Sequence, residues 1–255
     1  MNPGELSLLA EVEEVHWWYR ALRDAVTACL KTPRFALPPG PRILDAGCGT
    51  GANLKALADF ASPSYLGGFD LSEESLQSSR SKAPEADLYL SDICNPEIRE
   101  GELDLAISTD VIYIPGVEAA LPGLQRIADA LRPGGLFILN LPAYDWLFSA
   151  HDVAIHTKER YTARTVRKLL NALNLRIEVL SYRVCFLFPA AVATRLPSMF
   201  CSRESQAEAK SDLHSRPTAL TNAALFGVMA VENRLIARGV PFPWGSSVFA
   251  IGRRV

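Results

Sequence analysis

The sequence predicts an α/β protein, a doubly wound sheet of seven strands with an N-terminal cap helix and a C-terminal helical lid inserted before the last strand. Three observations carry this. Arg42 to Gly51 runs from the apolar pair Ile43-Leu44 through Asp45 into a loop with glycine at 47, 49 and 51, and a helical pattern with Leu54, Leu57, Ala58 and Phe60 follows. Strand, glycine-rich turn and helix make the opening unit of such a sheet, whose ligands bind at the carboxyl ends of the strands. From Tyr65 to Leu141, short apolar runs then alternate with helical stretches. Finally, Asp70 lies 19 residues after Gly51 at the end of the second run, where an acid can accept from ribose hydroxyls.

The chain of 255 residues suits one domain, read as a cap helix (1–37), a core (38–187), a lid (188–244) and a last strand (245–255). The net charge is −2 with no long basic run, so a nucleic-acid phosphate track is not expected. Five cysteines (29, 48, 94, 185 and 201) form no C-x-x-C pair, which argues against a structural metal or redox site. The odd count and the lack of a signal-peptide pattern fit a reducing cytoplasm. No apolar run approaches the roughly 20 residues of a membrane span.

Residues 5 to 30 read as one amphipathic helix, with Leu8, Val12, Val15, Tyr19, Leu22, Val26 and Leu30 on its apolar face and His16, Arg20, Arg23 and Thr27 beside it. His16-Trp17-Trp18-Tyr19-Arg20 is expected to cover a ligand or to pack on the domain; an arginine fork there suits a carboxylate. Pro38-Pro39-Gly40-Pro41 ends the cap. The second strand is Tyr65 to Phe69, and Ser72 caps a helix whose first turn carries Glu73 and Glu74. Asp87 to Ser91 is a third strand, followed by Asp92-Ile93, and Leu103 to Ser108 is a fourth, followed by Thr109. A helix over Val117 to Leu131 meets Arg132-Pro133-Gly134-Gly135, expected as a glycine C-cap with a proline stop, before strand five at Leu136 to Leu141.

Pro142 to Tyr161 holds Tyr144, Asp145, Trp146, His151, Asp152, His156, Arg160 and Tyr161 at the expected substrate side. His151 or His156 could serve as a general base near neutral pH, whereas two lone histidines do not define a metal site. Thr162 caps the next helix, Leu175 to Leu187 is strand six, and Pro189 to Phe200 and Pro217 to Ala237 are helices. The polar connector between them, with Arg203, Glu204, Glu208, Lys210 and Asp212, is expected to be a mobile loop. Ser246 to Ile251 is strand seven, expected antiparallel at the sheet edge.

Gly47, Gly49 and Ala52 also satisfy the dinucleotide pattern G-x-G-x-x-G/A. Asp45 ahead of the loop and a third glycine at 51 pull the other way, because a pyrophosphate gains nothing from that carboxylate. Asp45-x-Gly47-x-Gly49-x-Gly51, Asp70-Leu71-Ser72 and Leu131-Arg132-Pro133-Gly134-Gly135 resemble the class I S-adenosylmethionine-dependent methyltransferases. With His16 to Arg20 and Ala150-His151-Asp152, the chain looks like a bacterial subgroup of the type 11/12 kind. The resemblance implies a Rossmann-like core that takes S-adenosyl-L-methionine and releases S-adenosyl-L-homocysteine. It places Arg20, Asp45, Gly47, Cys48, Gly49, Gly51, Asp70, Leu71, Asp92, Ile93 and Thr109 around that cofactor.

The expected acceptor is small or lipid-like and methylated at oxygen, with Trp17, Tyr144, Arg160 and Tyr161 on its side and His151 or His156 as the base. A carboxylate acceptor would need no base and would be oriented by Arg160. A monomer or homodimer is expected, with peripheral membrane contact as a competing use of the lid. A non-catalytic binding module and an NAD-dependent oxidoreductase are the alternative functions.

Overall fold

The computed structural model describes residues 10, 12–149, 152–153, 155–199 and 217–255. The strands are β1 (Arg42–Ala46), β2 (Tyr65–Asp70), β3 (Asp87–Leu90), β4 (Leu103–Thr109), β5 (Leu131–Pro142), β6 (Leu175–Arg183) and β7 (Ser247–Arg254). The helices are α1 (Trp17–Leu30), α2 (Ala52–Ala61), α3 (Glu73–Lys82), α4 (Val117–Ala130), α5 (Ala163–Ala172), α6 (Phe188–Met199) and α7 (Ala219–Ala237).

The seven strands form one sheet in the order β3-β2-β1-β4-β5-β7-β6, parallel except for β7, which runs antiparallel to both of its neighbours. Strand side chains alternate between two cores, as a two-residue period requires. Leu44, Ala106, Phe137 and Ala250 face one layer with Leu124 of α4 and Leu170 of α5. Ile43, Leu105, Ile107, Ile138, Phe249 and Ile251 face the other, with Val26 and Leu30 of α1, Leu54 of α2, Leu76 of α3 and Ile236 of α7. Helices on both faces bury every central strand. This is why those strands read as near-continuous apolar runs.

Four expectations change. The N-terminal helix is interrupted at His16, which is extended (φ −70°, ψ 132°) and caps α1 by accepting from the Trp18 N–H at 3.3 Å. Ahead of that break Val12 is buried while Val15 is 63% exposed, so Val15 does not belong to the apolar face. Strand seven is not at the edge: β7 lies between β5 and β6, pairing Ala250 with both Leu139 and Leu180.

The turn after α4 does not use a glycine C-cap. Leu131 is the extended cap, and Arg132 to Gly135 fit a bulge in β5 between the Leu131 and Leu136 pairings. Glycine is needed there for close approach, since a Cβ on Gly135 would sit 2.7 Å from the Leu103 carbonyl oxygen. Strand six stops at Arg183 because the chain turns at Val184 (φ +63°), where the buried Glu232 carboxylate accepts from the N–H groups of Val184 (2.6 Å) and Phe186 (3.0 Å).

The segment expected as a lid divides. Phe188 of α6 packs 6.0 Å from Trp146 in the short 3₁₀ turn Asp145–Leu147, beside the end of β5. Helix α7 lies along α1. Asn233 Nδ2 donates to Ala21 O and Asp24 Oδ2, both at 2.8 Å, Asn222 Oδ1 accepts from Trp17 N at 2.6 Å, and the Arg20 guanidinium lies 4.3 Å from the Phe226 ring centre. The connector from Arg203 to Asp212 falls outside the described residues. Among the described residues, no helix is long and apolar enough to cross a membrane.

Candidate active site

The carboxyl ends of the parallel strands converge on the glycine loop. Asp45 is the penultimate residue of β1, with no exposed surface, and neither of its oxygens has a hydrogen-bond partner. Burial raises its pKa to about 8, with repulsion from Asp70 adding to the shift and the nearby Asn53 amide opposing it. That amide is directed at Thr109, donating to Oγ1 at 2.9 Å. A buried, unpartnered carboxylate is costly, which marks Asp45 as built for something cationic or hydrogen-bond donating.

The three loop glycines differ in what surrounds them. A Cβ on Gly47 (φ +82°) would meet Val111 at 2.4 Å, and one on Gly51 (φ +89°) would meet the Ser79 Cα at 2.8 Å. On Gly49 (φ +53°) it would meet nothing within 4 Å. Gly47 and Gly51 are therefore packed by protein, whereas the space in front of Gly49 is left for a ligand. Asp70 holds this loop: Oδ2 accepts from Gly49 N at 2.9 Å and Oδ1 from Ser72 N at 3.0 Å. Each oxygen keeps a second lone pair.

The other cofactor candidates take varied places. Leu71 is 70% exposed at the end of β2, and Asp92 is exposed, with Oδ1 accepting from Cys94 N at 2.9 Å, while Ile93 is buried behind it. Cys48 is buried, its thiol pushed up by burial and by repulsion from Asp45. The Thr109 hydroxyl is held by Asn53, and Arg20 is turned towards Phe226 of α7.

Sequence reasoning missed Glu13. Its buried carboxylate accepts from Thr50 Oγ1 of the glycine loop and from Lys82 Nζ at the end of α3, and Arg23 donates to its carbonyl at 2.7 Å. The N-terminal segment is thereby pinned to the loop. No signal in the sequence set Glu13 apart from its neighbours Glu11 and Glu14.

A second polar string, also missed, runs beneath the ends of β4, β5 and β6. Asp110 is in the left-handed region (φ +55°), and its N–H donates to Asn140 O at 2.8 Å. Asn140 Nδ2 donates to Asp110 Oδ1 at 3.1 Å and Oδ2 at 3.0 Å, and Asn140 Oδ1 accepts from Arg183 Nη1 at 3.0 Å. Arg183 has no exposed surface, and its Nε and Nη2 have no hydrogen-bond partner. The readable signal was Asn140, a lone amide inside Leu136-Phe137-Ile138-Leu139-Asn140-Leu141.

On the acceptor side, Tyr144 (φ +59°) stacks with Trp146 at 5.4 Å and Tyr182 at 5.0 Å, and Phe188 lies 6.0 Å away. This makes an aromatic wall with Trp146 46% exposed. Two expectations fail there. Tyr161 is fully buried and its hydroxyl donates to Ile112 O at 3.1 Å, so it braces the β4 loop and cannot contact an acceptor. Arg160 is buried, gripping Asp152 through Nε (2.8 Å) and Nη2 (3.2 Å) and Ala143 O through Nη1 (2.6 Å), so it is not free to orient a carboxylate. Trp17 packs in the seam between α1 and α7 with Met229 and Val184. His156 is exposed on a turn at φ +59°, and His151 lies outside the described residues.

Residues 43–135, which carry the glycine loop and both acidic strand ends, match the family described as a methyltransferase domain. Residues 43–135 thus carry a methyltransferase domain of the class I S-adenosylmethionine-dependent kind. The chain's strand order, 3214576, is the topology of that family.

Trans-aconitate 2-methyltransferase of Variovorax paradoxus is 33% identical over 110 residues, 43% of this chain and 41% of that protein. A probable S-adenosylmethionine-dependent methyltransferase of Mycolicibacterium smegmatis is 25% identical over 178 residues, 69% of this chain and 65% of its own length. The crystal structure of a TehB-like SAM-dependent methyltransferase from Corynebacterium glutamicum superposes with a TM-score of 0.57 at 17% identity, covering 100% of both chains. The chain thus spans about half or less of the length of the first curated relatives it matches.

The family's cofactor is S-adenosylmethionine, and the loop fits it. The partnerless Asp45 carboxylate matches a cationic group, and the open face of Gly49 leaves room for ligand against the backbone. The match of residues 43–135 to a methyltransferase domain speaks against the dinucleotide reading of Gly47, Gly49 and Ala52.

Proposed function

We propose that this chain transfers a methyl group from S-adenosylmethionine to a hydroxyl oxygen of a small, largely apolar acceptor. The observation that carries the reading is the buried, unpartnered Asp45 carboxylate at the head of a glycine loop whose middle glycine faces open space. Asp45 would hold the amino group of the donor, Asp70 the ribose hydroxyls, and Asp92 the adenine amine, with Leu71 and Ile93 against the ring. Arg20 would take the carboxylate after leaving Phe226. When bound, the sulfonium supplies a methyl group that is electrophilic without further activation.

The chain's own work is then to bind and align the acceptor, and near-attack positioning is worth roughly 7–11 kcal/mol. The aromatic wall of Tyr144, Trp146, Tyr182 and Phe188 supports an acceptor with a flat or apolar body, because ring stacking adds about 0.5–1.5 kcal/mol per pair to area burial. A carboxylate acceptor is less well supported, since Arg160 is already committed to Asp152.

Calorimetric titration with S-adenosylmethionine and S-adenosylhomocysteine tests the donor half. Micromolar binding, about −8.2 kcal/mol, is expected from the intact protein, with loss in Gly49→Val and Asp70→Ala. No binding by the intact protein would overturn the reading.

A further inference from the structure

We propose that Asp110 is the catalytic proton acceptor for a hydroxyl substrate, and that Asn140 and Arg183 are its positioning residues. The inference rests on the methyl-transfer reading above and assigns the base that reading requires. An alcohol or phenol must shed its proton as its oxygen gains the methyl group, and of the two histidines that could take it, His156 stands on an exposed turn.

Asp110 is at the right place in the fold. It directly follows β4, whose end lies between β1 and β5 at the ligand side of the sheet. Its neighbour Val111 packs against Gly47 so closely that a Cβ there would meet it at 2.4 Å, which fixes Asp110 at the lip of the glycine loop. The preceding residue, Thr109, is tied by Asn53 to the start of α2. Asp110 keeps part of its residue surface open at this end of the sheet, while its carboxylate is held against Asn140.

Its backbone holds the left-handed conformation at φ +55°, and the fold retains it with a main-chain bond to Asn140. A surface turn needs no such arrangement. The Asn140 amide spans both carboxylate oxygens, which fixes the plane of the group, and the Arg183 guanidinium fixes that amide from the other side. Arg183 lies fully buried, with Glu232 as its strongest opposing charge and Asp110 as the next, so it holds the Asn140 amide from a fixed position.

Charge balance agrees. The groups facing Asp110 are Asn140 of β5, Arg183 of β6, Arg160 of the loop before α5, and Tyr113, whose own hydroxyl is pushed up by burial and by Asp110. Burial raises the Asp110 pKa to about 7, opposed by the Asn140 hydrogen bond and by the two arginines, so the group is partly ionised at neutral pH and basic enough to accept a proton. In the transfer step the acceptor's O–H pair stays on oxygen as the proton passes to Asp110. An oxygen lone pair forms the O–C bond, the S–C pair returns to sulfur to leave a neutral thioether, and the proton then leaves Asp110 for water.

The test combines carboxyl NMR of protein labelled with [γ-13C]aspartate, S-adenosylhomocysteine calorimetry, and transfer of labelled methyl from S-adenosylmethionine to a panel of substituted phenols that includes 4-nitrophenol. One resonance, absent in Asp110→Asn, is expected to titrate within about a unit of pH 7 and to move upward in Asn140→Ala, which removes a donor from the charged form. Asp110→Asn is expected to lose at least about 100-fold in kcat with its affinity for S-adenosylhomocysteine within threefold of wild type. In Asn140→Ala the rising limb of kcat against pH should shift to higher pH by the same amount as the resonance.

Titration of Asp110 below pH 5, or Asp110→Asn turnover within threefold of wild type, would overturn this inference alone. Absence of S-adenosylhomocysteine binding by the wild type would overturn the methyl-transfer reading itself. Binding without methylation of any phenol would overturn the hydroxyl acceptor, and the base with it.

Discussion

The three loop glycines have separable jobs. Alanine at Gly51 forces a Cβ to 2.8 Å from the Ser79 backbone at φ +89°, so Gly51→Ala should destabilise the protein by about 2–4 kcal/mol, read as a lowered urea midpoint. Gly49→Ala bears only the backbone cost of a positive φ, roughly 1 kcal/mol, but places a methyl in the ligand's space, so it should fold and lose at least tenfold in S-adenosylhomocysteine affinity. Equal folding defects in the two variants would refute this division.

Asp45 carries a pH signature. Its folded pKa, raised to about 8, exceeds the unfolded value near 3.8, so its contribution to stability is full below about pH 4 and is lost as pH rises through 8. Asp45→Asn should therefore raise the melting temperature of the ligand-free protein more at pH 8.5 than at pH 5, while abolishing cofactor binding. The clustering of Asp45, Gly49 and Asp70 at one loop was legible in sequence because it depends on the spacing within one strand-turn-helix-strand unit. Glu13, Asp110, Asn140 and Arg183 were not, because each finds its partner across long stretches of chain.

At the scale of elements, the alternation of apolar runs was enough to place all seven strands, and the capping of α3 and α5 was readable from Ser72 and Thr162. Strand order was harder to read, since an antiparallel last strand fits an edge or an inner slot equally well by pattern. The inner slot of β7 follows from its burial on both sides by β5 and β6. The end of β6 was misread for a related reason: its stop depends on Glu232, a residue of α7 that arrives from 48 positions further along the chain.

Helix α7 was read as part of a lid and is also a clamp on α1 through Asn233. Asn233→Ala removes two hydrogen bonds from a buried amide and leaves the Ala21 carbonyl and Asp24 short of a donor, which costs about 1–3 kcal/mol. The loss should appear as faster amide hydrogen exchange in α1 while β1 and β4 keep their protection. Unchanged exchange in α1 would mean that the apolar seam of Trp17, Ala21 and Met229 holds the two helices unaided.

For the whole molecule, the decisive feature is how the ends of the chain enter the core. Val26 and Leu30 of α1, Ile236 of α7 and Phe249 and Ile251 of β7 share one apolar cluster with Ile43 and Ile107 at the middle of the sheet. Cap, core and last strand therefore bury the same surface, and none can leave without exposing the others. We expect one cooperative thermal transition for residues 1–255, with equal calorimetric and van't Hoff enthalpies. Ligand should move that transition as a unit. S-adenosylhomocysteine at 100 times its dissociation constant adds about 2.7 kcal/mol, and at roughly 2–4 °C per kcal/mol for a chain of this size the midpoint should rise by about 5–11 °C. Two transitions, of which only one responded to ligand, would instead mean that α1 and α7 form a unit that melts apart from the sheet. The N-terminal segment would then gate cofactor entry by local unfolding, because Glu13 ties it directly to Thr50 of the glycine loop.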